Sequence, residues 1–293
     1  FSSYLVSDYH PNSRVLSIRN LDFEKLVVIK IYDNDKGRGD KHITFAKHEV
    51  SVADLITRGG FLPRKYNAIM ESGNEVIPDA FTVSEYLAGV QLTAIKKIAL
   101  PSLLTNLLIK VSGLHLANIR RTFECQEGSP QKFSSFSQFL TDKLLRDIKM
   151  SGLEISRPDR ENLTRHTEFL NRRDRFCFCH HDATLSNILF DPRSNSCNLI
   201  DWSYSQFSTP AFDVAYLTFW LLEGGFYGEA VDIFNFLEDT YTPHDITLKD
   251  DYIFCLAHKY LEIAKYWGNQ YVEKAKRLLG LKRFEGIEII INV

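Results

Sequence analysis

The sequence predicts an α+β chain: a strand-rich beginning, then a longer, mainly helical remainder interrupted by one block of short strands. Three observations carry that expectation. Residues 26–32, LVVIKIY, form a β-branched run of strand length, and shorter runs at 1–6 and 14–18 precede it. From 95 to 121 apolar residues recur at helical spacing, as in LLTNLLIKVSGLHLANIRR, and helical patterns return at 212–222, 228–237, 251–268 and 272–279. Between 175 and 202, RFCFCHHDATLSNILFDPRSNSCNLIDW, three short apolar runs alternate with polar loops. Strand runs followed by helix runs are the mark of α+β organisation.

Composition narrows the function classes. A chain of 293 residues suits one large domain or two lobes. Its formal charge of -2 offers no general case for nucleic acid or an anionic membrane. Arg172, Arg173 and Arg175 read as a solvated cluster. No apolar run approaches the ~20 residues of a membrane span, and Phe1 opens no signal-peptide pattern. Four of the five cysteines, Cys177, Cys179, Cys197 and Cys255, sit in apolar contexts. They read as reduced core thiols, and the expectation is a cytoplasmic protein, monomer or homodimer. The one-residue spacing of Cys177 and Cys179 does not suit zinc.

The first two strands flank a turn expected at 7–13, and 33–40 is a polar loop containing Gly37 and Gly39. Residues 44–58 read as a helix ended by Gly59 and Gly60. Ala46, Glu49, Ala53 and Ile56 share one stripe of it. An inward Glu49 wants a cation, and Lys30, inside the third strand, is the candidate; the other register would turn His48 or Val50 inward. Residues 61–79 are irregular, and 80–89 reads as a strand running into a connector. Helices are expected at 136–148 and 160–171.

The stretch from 175 to 202 carries the chemistry. Asp182 follows a buried-strand pattern, Asn187 comes five residues later, and Asp201 ends the third apolar run. One carboxylate could aim a hydroxyl and accept its proton. A carboxamide and a second carboxylate could offer hard oxygens to Mg²⁺ bridging nucleotide phosphates.

His-His-Asp with Asn187 and a later Asp-Trp-Ser, followed by Pro210-Ala211-Phe212-Asp213, resembles the aminoglycoside phosphotransferase family and its choline-kinase cousins. The resemblance implies a two-lobed, protein-kinase-like fold. Residues 1–83 would form a nucleotide-binding lobe of antiparallel sheet plus one helix, 84–92 a hinge, and 93–293 a mainly helical catalytic and substrate-binding lobe. It further implies ATP (or GTP) and Mg²⁺ as cofactors, Asp182 as catalytic residue, and Asn187 and Asp201 as metal ligands. Lys30 would hold phosphates, paired with Glu49. The Ser84 carbonyl and Tyr86 N–H would meet adenine. No glycine-rich loop is present, so backbone and hydroxyls of Ser7 and Ser13 stand in for it. His180, Asp213 and His115 would be structural.

Between residues 201 and 251 ten acids face a single cation, Lys249. In the resembling family this region walls the acceptor site. Glu223, Asp232 and Glu238 are therefore the expected substrate-binding residues, and a cationic, aminoglycoside-like acceptor the expected substrate. A metabolic kinase of the choline, homoserine, methylthioribose or sugar type is the alternative within enzymes. A nucleotide-binding pseudokinase is the alternative outside them, although such a module needs no complete set of Lys30, Asp182, Asn187 and Asp201.

Overall fold

The computed structural model describes residues 5–10, 13–19, 26–32, 41–61, 67–69, 80–85, 87, 89–121, 136–150, 152, 157 and 175–280. The expected helix at 160–171 and Tyr86 lie outside them. Strands β1 (Leu5–His10), β2 (Ser13–Arg19), β3 (Leu26–Tyr32), β4 (Asn67–Ile69) and β5 (Ala80–Glu85) form one antiparallel sheet in the order β1-β2-β3-β5-β4. Its β-branched central strand, β3, pairs on both sides, with β2 and with β5. The expected single helix is two: α1 (Lys41–Ser51) and α2 (Ala53–Arg58), offset at Val52. Ala46, Glu49, Val52 and Ile56 are the buried stripe, which puts Glu49 on the sheet side.

Two glycines close this lobe onto the next. Gly60 takes a left-handed φ of 74°, where a side chain is strained. Gly59 lies against α3 (Leu100–Ala117) so closely that a β-carbon there would stand 2.7 Å from the Leu114 α-carbon. Only hydrogen fits.

Helix α3 is the axis of the larger lobe, burying Leu103, Leu104, Leu107, Leu108, Val111 and Leu114. The stretch Lys97–Ala117 is long and apolar enough, by length and composition alone, to cross a membrane. That corrects the expectation that no run comes near such a length. Here its apolar face is core. Around it lie two small antiparallel sheets. One is ordered β10-β9-β6, from β6 (Val90–Gln91), β9 (Ile188–Asp191) and β10 (Ser196–Leu199). The other is ordered β11-β8-β7, from β7 (Ile119–Arg120), β8 (Phe176–Cys179) and β11 (Gln206–Ser208). Among the described residues, the lobe also holds helices α4 (Phe136–Met150), α5 (Ala211–Gly224), α6 (Tyr227–Tyr241), α7 (Lys249–Trp267) and α8 (Gln270–Gly280). The fold is α+β and two-lobed, with a helical majority in the second lobe. Cys177, Cys179 and Cys197 are buried free thiols, and Cys255 is buried.

Candidate active site

The site forms where β3 and α1 of the first lobe meet the loops that follow β8 and β10. Lys30 Nζ lies 2.7 Å from Glu49 Oε1 and 2.6 Å from Asp201 Oδ1. The β3 ladder fixes Lys30 opposite Val15 and Thr82, and the buried face of α1 delivers Glu49. Burial pushes the Glu49 carboxyl up, against the pull of the Lys30 ammonium, and the nearby Asp201 charge adds to the rise. At Asp201 burial acts in the same direction, but the ammonium and the Ser203 hydroxyl outweigh it and hold the carboxyl well below its usual range. Asp201 has a left-handed backbone, φ 63°. Aspartate tolerates that region better than most residues, and the turn sends its carboxylate back toward Lys30.

Asp182 sits in a second left-handed turn. His181, φ 66°, lets two successive amides converge on one acceptor. His180 N and His181 N donate to Asp213 at 2.7 and 2.9 Å. His115 Nε2 reaches the same carboxylate at 3.1 Å and its other ring nitrogen meets the Tyr241 hydroxyl. Burial opposes the Asp213 charge, yet the histidine contacts bring it down to about 2. Asp213 thus holds the loop from below. The ligand atoms of His115, Cys179 and Asp213 lie within 4.8 Å of one another. The Asp213 oxygens are already taken by three N–H groups, so this is a structural knot. His180 is fixed from both ring nitrogens: Nδ1 accepts from Asp182 N at 3.2 Å and Nε2 donates to Ile200 O at 2.9 Å. That network assigns a neutral tautomer, in keeping with burial, which lowers the ring's proton affinity. His180 also meets the Trp202 ring edge-on at 4.5 Å, and Trp202 stacks on Phe178.

The Asn187 amide donates to Asp182 O at 2.9 Å and to Asp182 Oδ2 at 2.8 Å. Its carbonyl oxygen therefore points away from Asp182. Burial, joined by the Asp201 charge, pushes Asp182 up to about 7. Lys259 and Glu262, both on α7, also act on it, Lys259 downward and Glu262 upward. Lys259 is buried over the Tyr216 ring at 4.2 Å and pairs with Glu262 at 3.3 Å. Sequence reasoning missed both; Lys259 falls on the apolar side of a helical pattern, which is the one signal that could have marked it. It also passed over Ser203, two residues after Asp201 and hydrogen-bonded to it.

A carboxylate, Asp201, and a carboxamide oxygen, Asn187, make a hard-oxygen donor set that fits Mg²⁺. The other expected residues fall differently. Ser84 lies within β5, opposite Val28, and is buried, and the strand runs on to Glu85. Ser84 and Glu85, expected as the start of the hinge, are therefore strand. Ser7 is not in a turn. It pairs with Leu16, three steps in from the His10–Ser13 pair that closes the hairpin. Ser13 remains at the hairpin end; the side chains of both serines lie outside the described residues. The acidic wall needs a larger correction. Glu238 is buried and its Oε2 accepts from Leu248 N at 2.8 Å, just ahead of α7. Glu223 accepts from Lys274 at 2.6 Å and from the Tyr260 hydroxyl at 3.0 Å. Asp232 is exposed. An orphan helix N–H and a neighbouring ammonium have taken two of the three acids.

A model of the phosphotransferase enzyme family matches residues 44–241. The chain belongs to that family. No curated protein matches it in sequence. Among solved structures it is similar to aminoglycoside phosphotransferase APH(4)-Ia, with a TM-score of 0.61 and 13% identity, over 99% of this chain and 93% of that one. A thermostable mutant of the same enzyme, in a ternary complex with AMP-PNP and hygromycin B, gives 0.60 and 13%, over 99% and 94%. The Plasmodium vivax ethanolamine kinase gives 0.58 and 12%, over 97% and 83%. At these identities the likeness is one of fold. As a member of the phosphotransferase family the protein is a small-molecule kinase. Within that frame, Asp182 and Asn187 sit on the loop after β8, and Asp201 sits after β10.

Proposed function

We propose that this phosphotransferase moves the γ-phosphoryl group of ATP to a hydroxyl of a small molecule, with Mg²⁺ at Asn187 and Asp201. One observation carries the reading. Lys30, from the first lobe, is joined to Asp201 of the second, and Glu49 steadies it. A cation between two carboxylates is what a nucleotide's phosphates and their metal need on arrival. Lys30 can move from Asp201 to phosphate oxygens while Glu49 keeps it in the cleft. When bound, Mg²⁺ supplies charge neutralisation across the phosphates. The chain's own residues do the rest. Asn187 fixes the Asp182 carboxylate through one oxygen, and the other is left to orient the acceptor hydroxyl and receive its proton. Catalysis is then positioning and electrostatics.

The acceptor we propose is an amine-bearing alcohol. Support comes from relatives of the same fold, one bound to hygromycin B and another named for ethanolamine. Glu262 is partly exposed, acts on Asp182 and already pairs with one ammonium, that of Lys259; it is the acid we place beside the acceptor's amine. Free, buried thiols among the described residues support a reducing, cytoplasmic setting. The test is ADP release from Mg·ATP or Mg·GTP against a panel of amino alcohols, aminoglycosides and neutral sugars, with Asp182→Asn as control. Release with neutral sugars alone would sink the amine reading, and no release with any acceptor would sink the kinase reading.

A further inference from the structure

Helix α1 grips the segment after Asp201 with more than Glu49. Phe45, His48 and Glu49 stand at i, i+3 and i+4, on one helical face. The Phe45 ring meets Tyr204 at 5.4 Å, and His48 Nε2 lies 2.9 Å from Ser205 Oγ. Ser205 Oγ donates its own hydrogen to Trp202 O at 2.7 Å, and Ser205 N donates to the same carbonyl at 3.0 Å. With its hydrogen committed, the Ser205 oxygen accepts from His48 Nε2–H. The tight turn 202–205 is thereby pinned to α1 immediately after the left-handed residue Asp201. A sparsely populated backbone conformation persists only where its surroundings over-determine it. Trp202 supplies one constraint from the second lobe, through Phe178 and His180. The His48–Ser205 bond supplies the matching one from the first.

We propose that His48 is a positioning residue: acting through Ser205, it holds the turn that presents the Asp201 carboxylate to metal and phosphate. The inference rests on the proposed role of Asp201 as Mg²⁺ ligand. It differs from the Lys30–Glu49 pair in acting on the backbone of the turn and touching no phosphate.

The test measures ATP affinity by equilibrium binding over a Mg²⁺ titration, with no acceptor present. His48→Ala and Ser205→Ala should each raise the Mg²⁺ concentration needed for half-maximal tightening by about tenfold, the size of an ordinary contact pair. The double variant should be no worse than either single one. His48→Gln, whose carboxamide N–H can replace the imidazole donor, should recover most of the loss. ATP affinity without Mg²⁺ should not change, which separates lost positioning from general loosening of the lobe. An unchanged Mg²⁺ requirement in both single variants, or additive losses in the double variant, overturns the proposal. Asp201→Ala distinguishes the two levels. If it abolishes the Mg²⁺ effect while His48→Ala does not shift it, the positioning role alone fails. If Asp201→Ala leaves the Mg²⁺ effect intact, the metal assignment fails and this inference falls with it.

Discussion

Lys30 Nζ lies 2.6 Å from Asp201 Oδ1, although 171 residues separate them in the chain. This bond crosses the lobes, and it makes one residue from each answerable for the same phosphates. Asp201→Ala should leave Lys30 on Glu49, keep the fold, and abolish the Mg²⁺ dependence of ATP binding. The carboxylate stands at a strand end beside the cleft, so its removal opens no apolar core. Calorimetric titration with and without Mg²⁺ is the measurement; an unchanged metal dependence would contradict the assignment.

Asp182→Asn keeps the size of the side chain and removes its charge. If this carboxylate receives the acceptor's proton, kcat should fall by about 10²–10⁴-fold. ATP affinity should hardly move, because the lost interaction belongs to the transition state. Near-normal turnover would return Asp182 to the status of a turn residue held by Asn187.

The parts of this site that were legible in the sequence are those held by local pattern. Asp182, Asn187 and Asp201 sit at ends of short apolar runs, and those runs form β8, β9 and β10 within a residue of the expected bounds. Lys30 stood out as a charge inside LVVIKIY. What stayed hidden depends on partners remote in sequence. Nothing near Glu238 shows that Leu248 N needs an acceptor, and nothing near Glu223 points to Lys274, 51 residues on. A charge count cannot tell a wall from a cap. The hairpin was misplaced for a different reason. Ser7, Asp8 and the residues up to Ser13 look like turn formers, but 5–10 and 13–19 alternate well enough to pair as one long ladder. Turn propensity lost to register.

Gly59 gives a test of lobe packing that is independent of chemistry. A methyl group there meets the Leu114 side chain and backbone, and helix α3 cannot yield without disturbing the core. Gly59→Ala should cost about 1–3 kcal/mol in urea unfolding, as overpacking does. Gly60 has φ 74° and nothing within 4 Å of a β-carbon, so Gly60→Asn should cost far less. Equal costs at the two positions would mean that α2 is not seated on α3 as described.

His48 sets a pH dependence on stability. Burial lowers its value from 6.5 to about 4, against the opposing bond to Ser205. Glu49, beside it, is already paired with Lys30 and does not hold a proton on the ring. The unfolded chain therefore takes up a proton near pH 6.5 that the folded chain refuses until about pH 4. Stability from this residue is whole above the upper value, declines as pH falls between the two, and is flat below. The full loss is about 3 kcal/mol. The stability difference between the parent and His48→Gln should follow that window in urea unfolding at pH 7.5, 5.5 and 4.5. A constant difference across the three would remove the buried neutral imidazole.

Glu238 decides between the two readings of the acidic region. As part of a wall for cationic acceptors, its loss should raise KM at low salt and leave the fold alone. As a cap, its loss should leave Leu248 N without an acceptor at the start of α7. That costs about 0.5–2 kcal/mol of stability, in the range of a lost helix cap. Helix α7 also carries Lys259 and Glu262, so a frayed first turn lies well ahead of them and should not disturb the acceptor side directly. Glu238→Ala is therefore expected to lower the urea midpoint and leave KM for an amine-bearing acceptor unchanged, because its buried carboxylate is committed to Leu248 N. Glu262→Gln, which also leaves the buried Lys259 without that carboxylate, is expected to lower the midpoint as well and to raise KM, the rise shrinking as ionic strength increases. If Glu238→Ala instead raises KM with the midpoint unmoved, the carboxylate faces the acceptor after all, and the hydrogen bond to Leu248 is incidental.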